Sequence, residues 1–307
     1  MAVNENKWGI LYCPNHSFRA AARWESIEKS LRAHRIDYDY IQSENSGSVA
    51  RLVKMMVNNG YRTIIIVGGD SALNDAANCL MQLDSETRSR IALGVIPNGM
   101  MNDFAHFWGF REGEVEQTVE WLSKRRIRRI DVGRMNYRNK HGEACHRYFL
   151  NCVNVGLIAA IMNLRWQTLH FFVSRTLSFL FSFVLMVFQR LEYKMRLHIN
   201  GETIDRRVMT GNAPGYGQTP NAVPYNGMLD VSVVYHTEMV QLVEGWYLFL
   251  RGKILNHCSV HPYRTREVEF SEISQAMVGI DGRLMNTPVA PISIRVEQEV
   301  INFLIPE

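Results

Sequence analysis

Two short segments of this 307-residue chain carry the residue types and spacing that binding a polyphosphate requires. The first, Thr63-Ile-Ile-Ile-Val67-Gly68-Gly69-Asp70-Ser71-Ala72-Leu73-Asn74-Asp75, runs from a β-branched stretch straight into a helical pattern bearing Leu73, Ala76, Ala77 and Leu80. Glycines let the backbone turn tightly and approach an anion, while the N–H groups and dipole of the helix start attract negative charge. Asp70 stands where it could cap that helix or hold a magnesium ion. The second segment, Gly94-Val-Ile-Pro97-Asn-Gly99-Met-Met-Asn102-Asp103-Phe104-Ala105, repeats the arrangement of strand, glycine-containing turn, polar pair and apolar residue. Asn102 and Asp103 suit a ligand pocket and a helix cap equally well. Two such loops can flank one polyphosphate.

The elements that must position these loops follow from periodicity. Trp8 to Cys13, Ile36 to Ile41, Thr63 to Val67 and Ile91 to Ile96 read as strands, and Ser48 to Asn59 as a helix with Val49, Leu52, Val53, Met56 and Val57 on one face. Strands alternating with helices predict a parallel sheet covered on both faces. Beyond about Arg134 the pattern becomes strand-rich: Phe149 to Val153, Tyr193 to Ile199, Arg206 to Thr210, Leu229 to Tyr235, Val268 to Phe270 and Ile292 to Val296. Asn200-Gly201 between alternating runs is a hairpin signal, since a type I′ turn needs positive φ at both central positions. Asp281-Gly282 reads as an ordinary hairpin turn by the same rule. The expected architecture is an α/β domain over residues 1–130 and an antiparallel β domain over 131–307, whose final residues return to the first domain. No Pro-rich or Ser-rich linker marks the boundary, which suggests two closely packed lobes with a cleft between them.

One helical stretch interrupts the second half. From His170 to Leu191 the chain is greasy, and Thr176 to Gln189 is free of charge for 14 residues, short of the roughly 20 that a membrane span requires. Leu177, Leu180, Phe181, Val184 and Phe188 form one stripe and Phe179, Phe183 and Val187 the opposite one, so such a helix needs cover all round. A core helix with a homodimer contact is one reading; an acyl-chain pocket or membrane-docking surface is the other.

Composition narrows the field. A net charge of +4 argues against nucleic acid as a partner. The cluster Lys124, Arg125, Arg126, Arg128 and Arg129 suits either anionic headgroups or the solvated end of a helix. Five scattered cysteines without a C-x-x-C pair suggest reduced thiols and no thiolate metal site, and the opening residues lack a secretory pattern, so cytoplasmic residence is expected. His257-Cys258 with His261, and His141 with Cys145-His146, lack a complementary ligand pair for zinc. No Walker A lysine follows Gly211 to Thr219, Gly68-Gly69 completes no G-x-G-x-x-G, and G-x-S-x-G is absent.

Taken in order, the two loops resemble the diacylglycerol kinase and sphingosine kinase catalytic superfamily, whose loops read GGDGT-L-N-E and P-x-G-T-G-N-D-F. The resemblance continues through Asn212-Ala-Pro214 to Pro220-Asn-Ala222, through Asn226-Gly227-Met-Leu-Asp230-Val231, similar to D-G-L-L-D-V, and through Ile280-Asp281-Gly282, similar to I-D-G-E. It spans Trp8 to about Val296. It implies a nucleotide lobe of the NAD kinase and phosphofructokinase type and a β-sandwich lobe for the lipid. ATP and magnesium would be the cofactors. The partner would be a membrane lipid hydroxyl, met peripherally at the inner membrane face. By resemblance, Asp281 is the candidate base and Asp70 lies near magnesium and the γ-phosphate. Gly68, Gly69, Ser71, Asn74, Gly99, Asn102 and Asp103 shape the nucleotide pocket, and Asp230 joins Asp70 as a metal candidate. Ser71 and Ala72 replace the family's Gly-Thr, Met100 and Met101 its Thr-Gly, Arg283 its Glu and Asn226 its usual Asp. These departures leave a catalytically degenerate lipid-binding or regulatory protein as the alternative, and an NAD kinase-like enzyme as a third reading.

Overall fold

The computed structural model describes residues 7–14, 20–99, 102–156, 159–160, 193–213, 222–235, 239–250, 253–274, 276–285 and 288–306. The greasy stretch from His170 to Leu191, Met100, Met101 and the loop from Pro214 to Thr219 lie outside these residues. In chain order the elements are β1 (Trp8–Tyr12), α1 (Ala20–Ala33), β2 (Tyr38–Gln42), α2 (Val49–Asn58), β3 (Thr63–Gly68), α3 (Asp70–Met81), α4 (Ser85–Ser89), β4 (Ala92–Pro97), α5 (Asp103–Phe107) and α6 (Val115–Ser123). There follow β5 (Ile127–Arg138), β6 (Ala144–Phe149), β7 (Val153–Gly156), β8 (Tyr193–Ile199), β9 (Glu202–Ala213), β10 (Leu229–Tyr235), α7 (Met239–Leu250), β11 (Val260–Thr265), β12 (Glu267–Glu272), β13 (Val278–Ile280), β14 (Arg283–Leu284) and β15 (Val289–Leu304).

These elements form two compact units. Unit 1 comprises Met1–Val132, Pro224–Asn226 and Glu297–Glu307. Strands β2, β1, β3, β4 and the last part of β15 pair in parallel in that order, and β5 also pairs with β15. Every residue of β1, β3 and β4 is buried, as expected of strands covered on both faces. On α2 the buried residues are Val49, Leu52, Val53, Met56 and Val57, and Gly60 follows at φ 93°, the left-handed stop that glycine adopts without strain. Residues remote in sequence are tied into this unit by hydrogen bonds. Asp131 donates its N–H to Pro224 O at 2.8 Å, and its Oδ1 accepts from Glu299 N at 2.9 Å. Arg88 Nε donates to Val300 O, and Asn302 Nδ2 to Ser89 O.

Unit 2 comprises Gly133–Val223 and Gly227–Val296. Its pairings are antiparallel: β14, β13, β7, β9, β8, β12 and the first part of β15 in order, with β10 joining β9 to β11 and β5 forming a hairpin with β6. The core is built from alternate residues of these strands, among them Met195, Leu197, Val231, Val268, Phe270, Ile292 and Ile294. Asn200 and Gly201 both have positive φ, 52° and 83°, as the β8 to β9 hairpin demands. Parallel α/β followed by antiparallel β is therefore the fold class, as the pattern predicted.

Two local expectations are corrected. The single strand expected from Phe149 to Val153 is two strands, because the chain breaks at Leu150–Cys152 and resumes as β7. The helix α7, with apolar residues on nearly every side, stood unrecognised among the strands. Among the described residues no helix is long and apolar enough to cross a membrane.

Candidate functional site

The first loop leaves β3 at Gly68. Gly69 is extended, with φ −100° and ψ −175°, and α3 begins at Asp70 without a side-chain cap. The N–H groups of Ala72 and Leu73 return to Gly69 O, so helical bonding starts at once. A helix start of this kind leaves donors that an anion can take. Gly68 has its own packing reason, since a Cβ there would stand 3.0 Å from Ala72 Cβ and 3.4 Å from Cys13 Cβ.

The second loop lies directly against the first. A Cβ on Gly99 would fall 2.2 Å from Gly69 Cα and 2.8 Å from Gly69 N, a clash of backbone on backbone that only glycine avoids. Asn98 N donates to Gly68 O at 3.0 Å. Asn102, 2% exposed, hooks the turn: its Oδ1 accepts from Gly99 N and its Nδ2 donates to Gly99 O, each at 3.0 Å, and Nδ2 also meets Glu112 Oε1. The carboxylate of Asp70 closes the corner. Its Oδ2 accepts from Asp103 N at 2.9 Å and its Oδ1 from Phe104 N at 3.2 Å, so Asp70 caps α5, the helix that starts 33 residues further on. Of its two sequence alternatives, capping and metal binding, the geometry supplies the first, with the cap given to a neighbouring helix.

Gly68, Gly69, Asp70, Gly99, Asn102 and Asp103 thus meet at one corner. Ser71 is half-buried on the first turn of α3. Asn74 is buried one turn along, where its Oδ1 and backbone O accept from Asn78 Nδ2 at 3.1 and 2.9 Å. The sequence reading missed three contributors. Glu112 braces Asn102 from a polar loop, Asn98 Nδ2 holds Cys13 O at 3.2 Å, and Arg23 Nη2 donates to Pro97 O at 2.8 Å. Arg23 and Glu112 belong to no spacing motif and Asn98 fills the variable position between Pro97 and Gly99, so only the geometry reveals their roles. Burial lowers the Arg23 pKa, and burial pushes the Cys13 thiol up.

Asp281 and Asp230 belong to unit 2, each with partners of its own. Asp281 occupies the β13 to β14 turn with φ 43°, followed by Gly282 at φ 79°. It is 1% exposed, and its carboxylate collects three consecutive backbone amides: Leu150 N to Oδ2 at 2.8 Å, and Asn151 N and Cys152 N to Oδ1 at 3.0 and 2.8 Å. Its own N–H donates to Cys152 O at 3.0 Å. The strand break at Leu150–Cys152 is the physical result, because these three N–H groups point to a carboxylate and not to a neighbouring strand. Asp230 Oδ1 takes Nε and Nη2 of Arg264, both at 2.9 Å, and its Oδ2 is buried without a hydrogen-bond partner.

The residues fit a nucleotide that carries its own magnesium. The start of α3, which has no side-chain cap, offers backbone donors to phosphate, and the Asp70 carboxylate stands at that start. Magnesium is held in this way by phosphates, waters and one or two carboxylates. A cage made of protein alone is a different matter, since no group of three or more His, Cys, Asp or Glu side chains converges among the described residues. Asp230 Oδ1 is committed to the Arg264 guanidinium.

Both halves of the chain are similar to known proteins. Residues 15–135 match the diacylglycerol kinase catalytic domain, and residues 151–305, half of the chain, match the YegS C-terminal NAD kinase beta sandwich-like domain. Similar relatives include the diacylglycerol kinase of Staphylococcus carnosus (strain TM300), 22% identical over 247 residues, 78% of this chain and 76% of the relative. The diacylglycerol kinase of Bacillus subtilis (strain 168) is 21% identical over 243 residues, 77% of this chain and 76% of the relative. Among solved structures, a diacylglycerol kinase from Bacillus anthracis str. Sterne superposes with a TM-score of 0.70 at 16% identity, covering 98% of this chain and 97% of that one.

Proposed function

We propose for this chain, which belongs to the diacylglycerol kinase family of lipid kinases through both of its domains, the transfer of a phosphoryl group from ATP to a hydroxyl of diacylglycerol, a sphingoid base or a related lipid. The observation that carries this reading is the corner where Gly69 and Gly99 abut at the uncapped start of α3. Bound ATP supplies the phosphoryl group, with magnesium to neutralise its charge. The chain's own part is positioning. The first amides of α3 hold phosphate oxygens, and Asp70 keeps the second loop and α5 fixed to the first. Ser71, Asn74, Asn102 and Asp103 complete the pocket wall. Asp281 would orient or accept the proton of the lipid hydroxyl, its carboxylate held in one orientation by the Leu150, Asn151 and Cys152 amides.

Contact with anionic headgroups at the cytoplasmic membrane face is assigned to the basic segment of unit 1. Arg126, Arg128 and Arg129 are exposed there beside Ile127, which is 48% exposed, while Arg125 is half-buried and Lys124 pairs with Glu120 at 3.1 Å. Each such cation is worth about 1 kcal/mol near an anionic surface.

One observation favours a second reading, a lipid-binding member that no longer transfers phosphate. Ser71 and Ala72 stand where the resembled family has Gly-Thr. Purified protein incubated with labelled ATP, magnesium and micelles of diacylglycerol, sphingosine, ceramide or monoacylglycerol separates the two. Labelled lipid is the expected product. No product from any lipid, with no heat of ATP binding in calorimetry, would establish the second reading.

A further inference from the structure

We propose that Asn151 reads the hydroxyl of the acceptor lipid, as a binding residue set in place by Asp281; the inference rests on the lipid-hydroxyl reading above. Asn151 lies at the centre of the Leu150–Cys152 break and is 3% exposed. Its backbone N–H is spent on Asp281 Oδ1, yet its side-chain Oδ1 is buried and has no hydrogen-bond partner among the described residues. Leaving a buried amide oxygen without a donor is costly, and such an atom in a folded protein calls for an explanation.

The neighbourhood explains why no protein donor arrives. The three amides of the turn all point to the Asp281 carboxylate, itself an acceptor. Nearby, Asn154 Nδ2 is directed to Cys152 Sγ at 3.5 Å. Among the described residues no O–H or N–H reaches this oxygen, and a ligand hydroxyl could supply one. A side-chain amide both accepts and donates, and a hydroxyl is its complement, donating to Oδ1 and accepting from Nδ2. Asp281 performs two tasks in this arrangement. It breaks the strand so that Asn151 leaves the ladder, and it fixes the turn on which the amide sits.

Binding to the hydroxyl can be read apart from catalysis. In detergent micelles, calorimetry with 1,2-dioctanoylglycerol and with its analogue lacking the free hydroxyl should give wild-type protein about a tenfold preference for the former. Asn151→Ala should bind both at the weaker level, and Asn151→Asp, which keeps the acceptor, should recover the preference. In the kinase assay Asn151→Ala should raise KM for the lipid about tenfold while KM for ATP stays unchanged. Equal binding of both lipids by wild type, or a preference that survives in Asn151→Ala, overturns the inference; a trapped water completing the amide would give that result. Phosphate transfer with an unaltered preference defeats the role of Asn151 alone. A hydroxyl preference lost in the variant, without phosphate transfer in wild type, defeats the kinase reading alone. Should Asn151→Ala fail to fold, Asn151→Leu, of similar volume and without the acceptor, takes its place: loss of the preference supports the inference and its survival overturns it.

Discussion

Asp70 and Asp281 are the two aspartates that motif reading singles out for chemistry, and the structure uses both to hold backbone. Each sends its carboxylate to amides far away in sequence, 33 and 34 residues off for Asp70, 129 to 131 for Asp281. The difference lies in what they hold. Asp70 caps an ordinary helix start, a task in which water or another acceptor can substitute, and it is 6% exposed. Asp281 is 1% exposed and satisfies three N–H groups that the strand break has removed from the sheet. One acid joins two elements that exist without it; the other creates the local conformation it stabilises.

The comparison breaks most directly by removing one charge at a time. Asp281→Asn places an amide donor among three backbone donors and should cost about 3 kcal/mol in urea unfolding, whereas Asp70→Asn should cost about 1.5 kcal/mol. The Asp281 variant should also lower turnover about 10²-fold even where it remains folded. Equal losses from both would show that the two clamps are equivalent. Gly99→Ala sharpens the Asp70 half without touching the acid. The added methyl meets backbone at 2.2 Å, so the second loop must move, at about 2 kcal/mol, and ATP binding measured by calorimetry should weaken with it.

The smallest effect is a contrast from the surface. Asp39, its side chain 48% exposed, is bonded by side chains, to Lys7 Nζ at 2.8 Å and to the Tyr61 hydroxyl. The Lys7 hydrogen bond, then that of Tyr61, hold its carboxyl below the ordinary value of 3.8. Because the folded pKa is depressed, the contribution is present above 3.8 and is lost as pH falls through the folded value. With solvent screening it should amount to only a few tenths of a kcal/mol. Wild type should therefore exceed Asp39→Asn by that small amount above pH 4, and the gap should close as acid titration carries the pH below 3.8.

How much was legible follows from the range of each interaction. The turns at Gly68-Gly69, Asn200-Gly201 and Asp281-Gly282 were readable because positive φ and helix starts restrict residue choice within a few positions. The pairing of Asp281 with Leu150–Cys152 was invisible, since Phe149 to Val153 has the composition of an unbroken strand and nothing local marks a missing ladder bond. Glu112 and Arg23 escaped for the same reason. The helix α7 was missed because a segment apolar all round lacks the 3.6-residue alternation that separates helix from buried strand.

The end of β15 carries a consequence for synthesis. Asn302 and Phe303 pair with Ala92 and Leu93, and the fully buried Phe303 ring stacks against Phe104 and Trp108 at 5.1 and 5.9 Å. The outer edge of β4 therefore stays open on the ribosome until some 200 further residues have been made, about 10 to 40 seconds at ordinary elongation rates. During that interval the α5 corner lacks its aromatic floor, and an unpaired β edge is the kind of surface that chaperones cover.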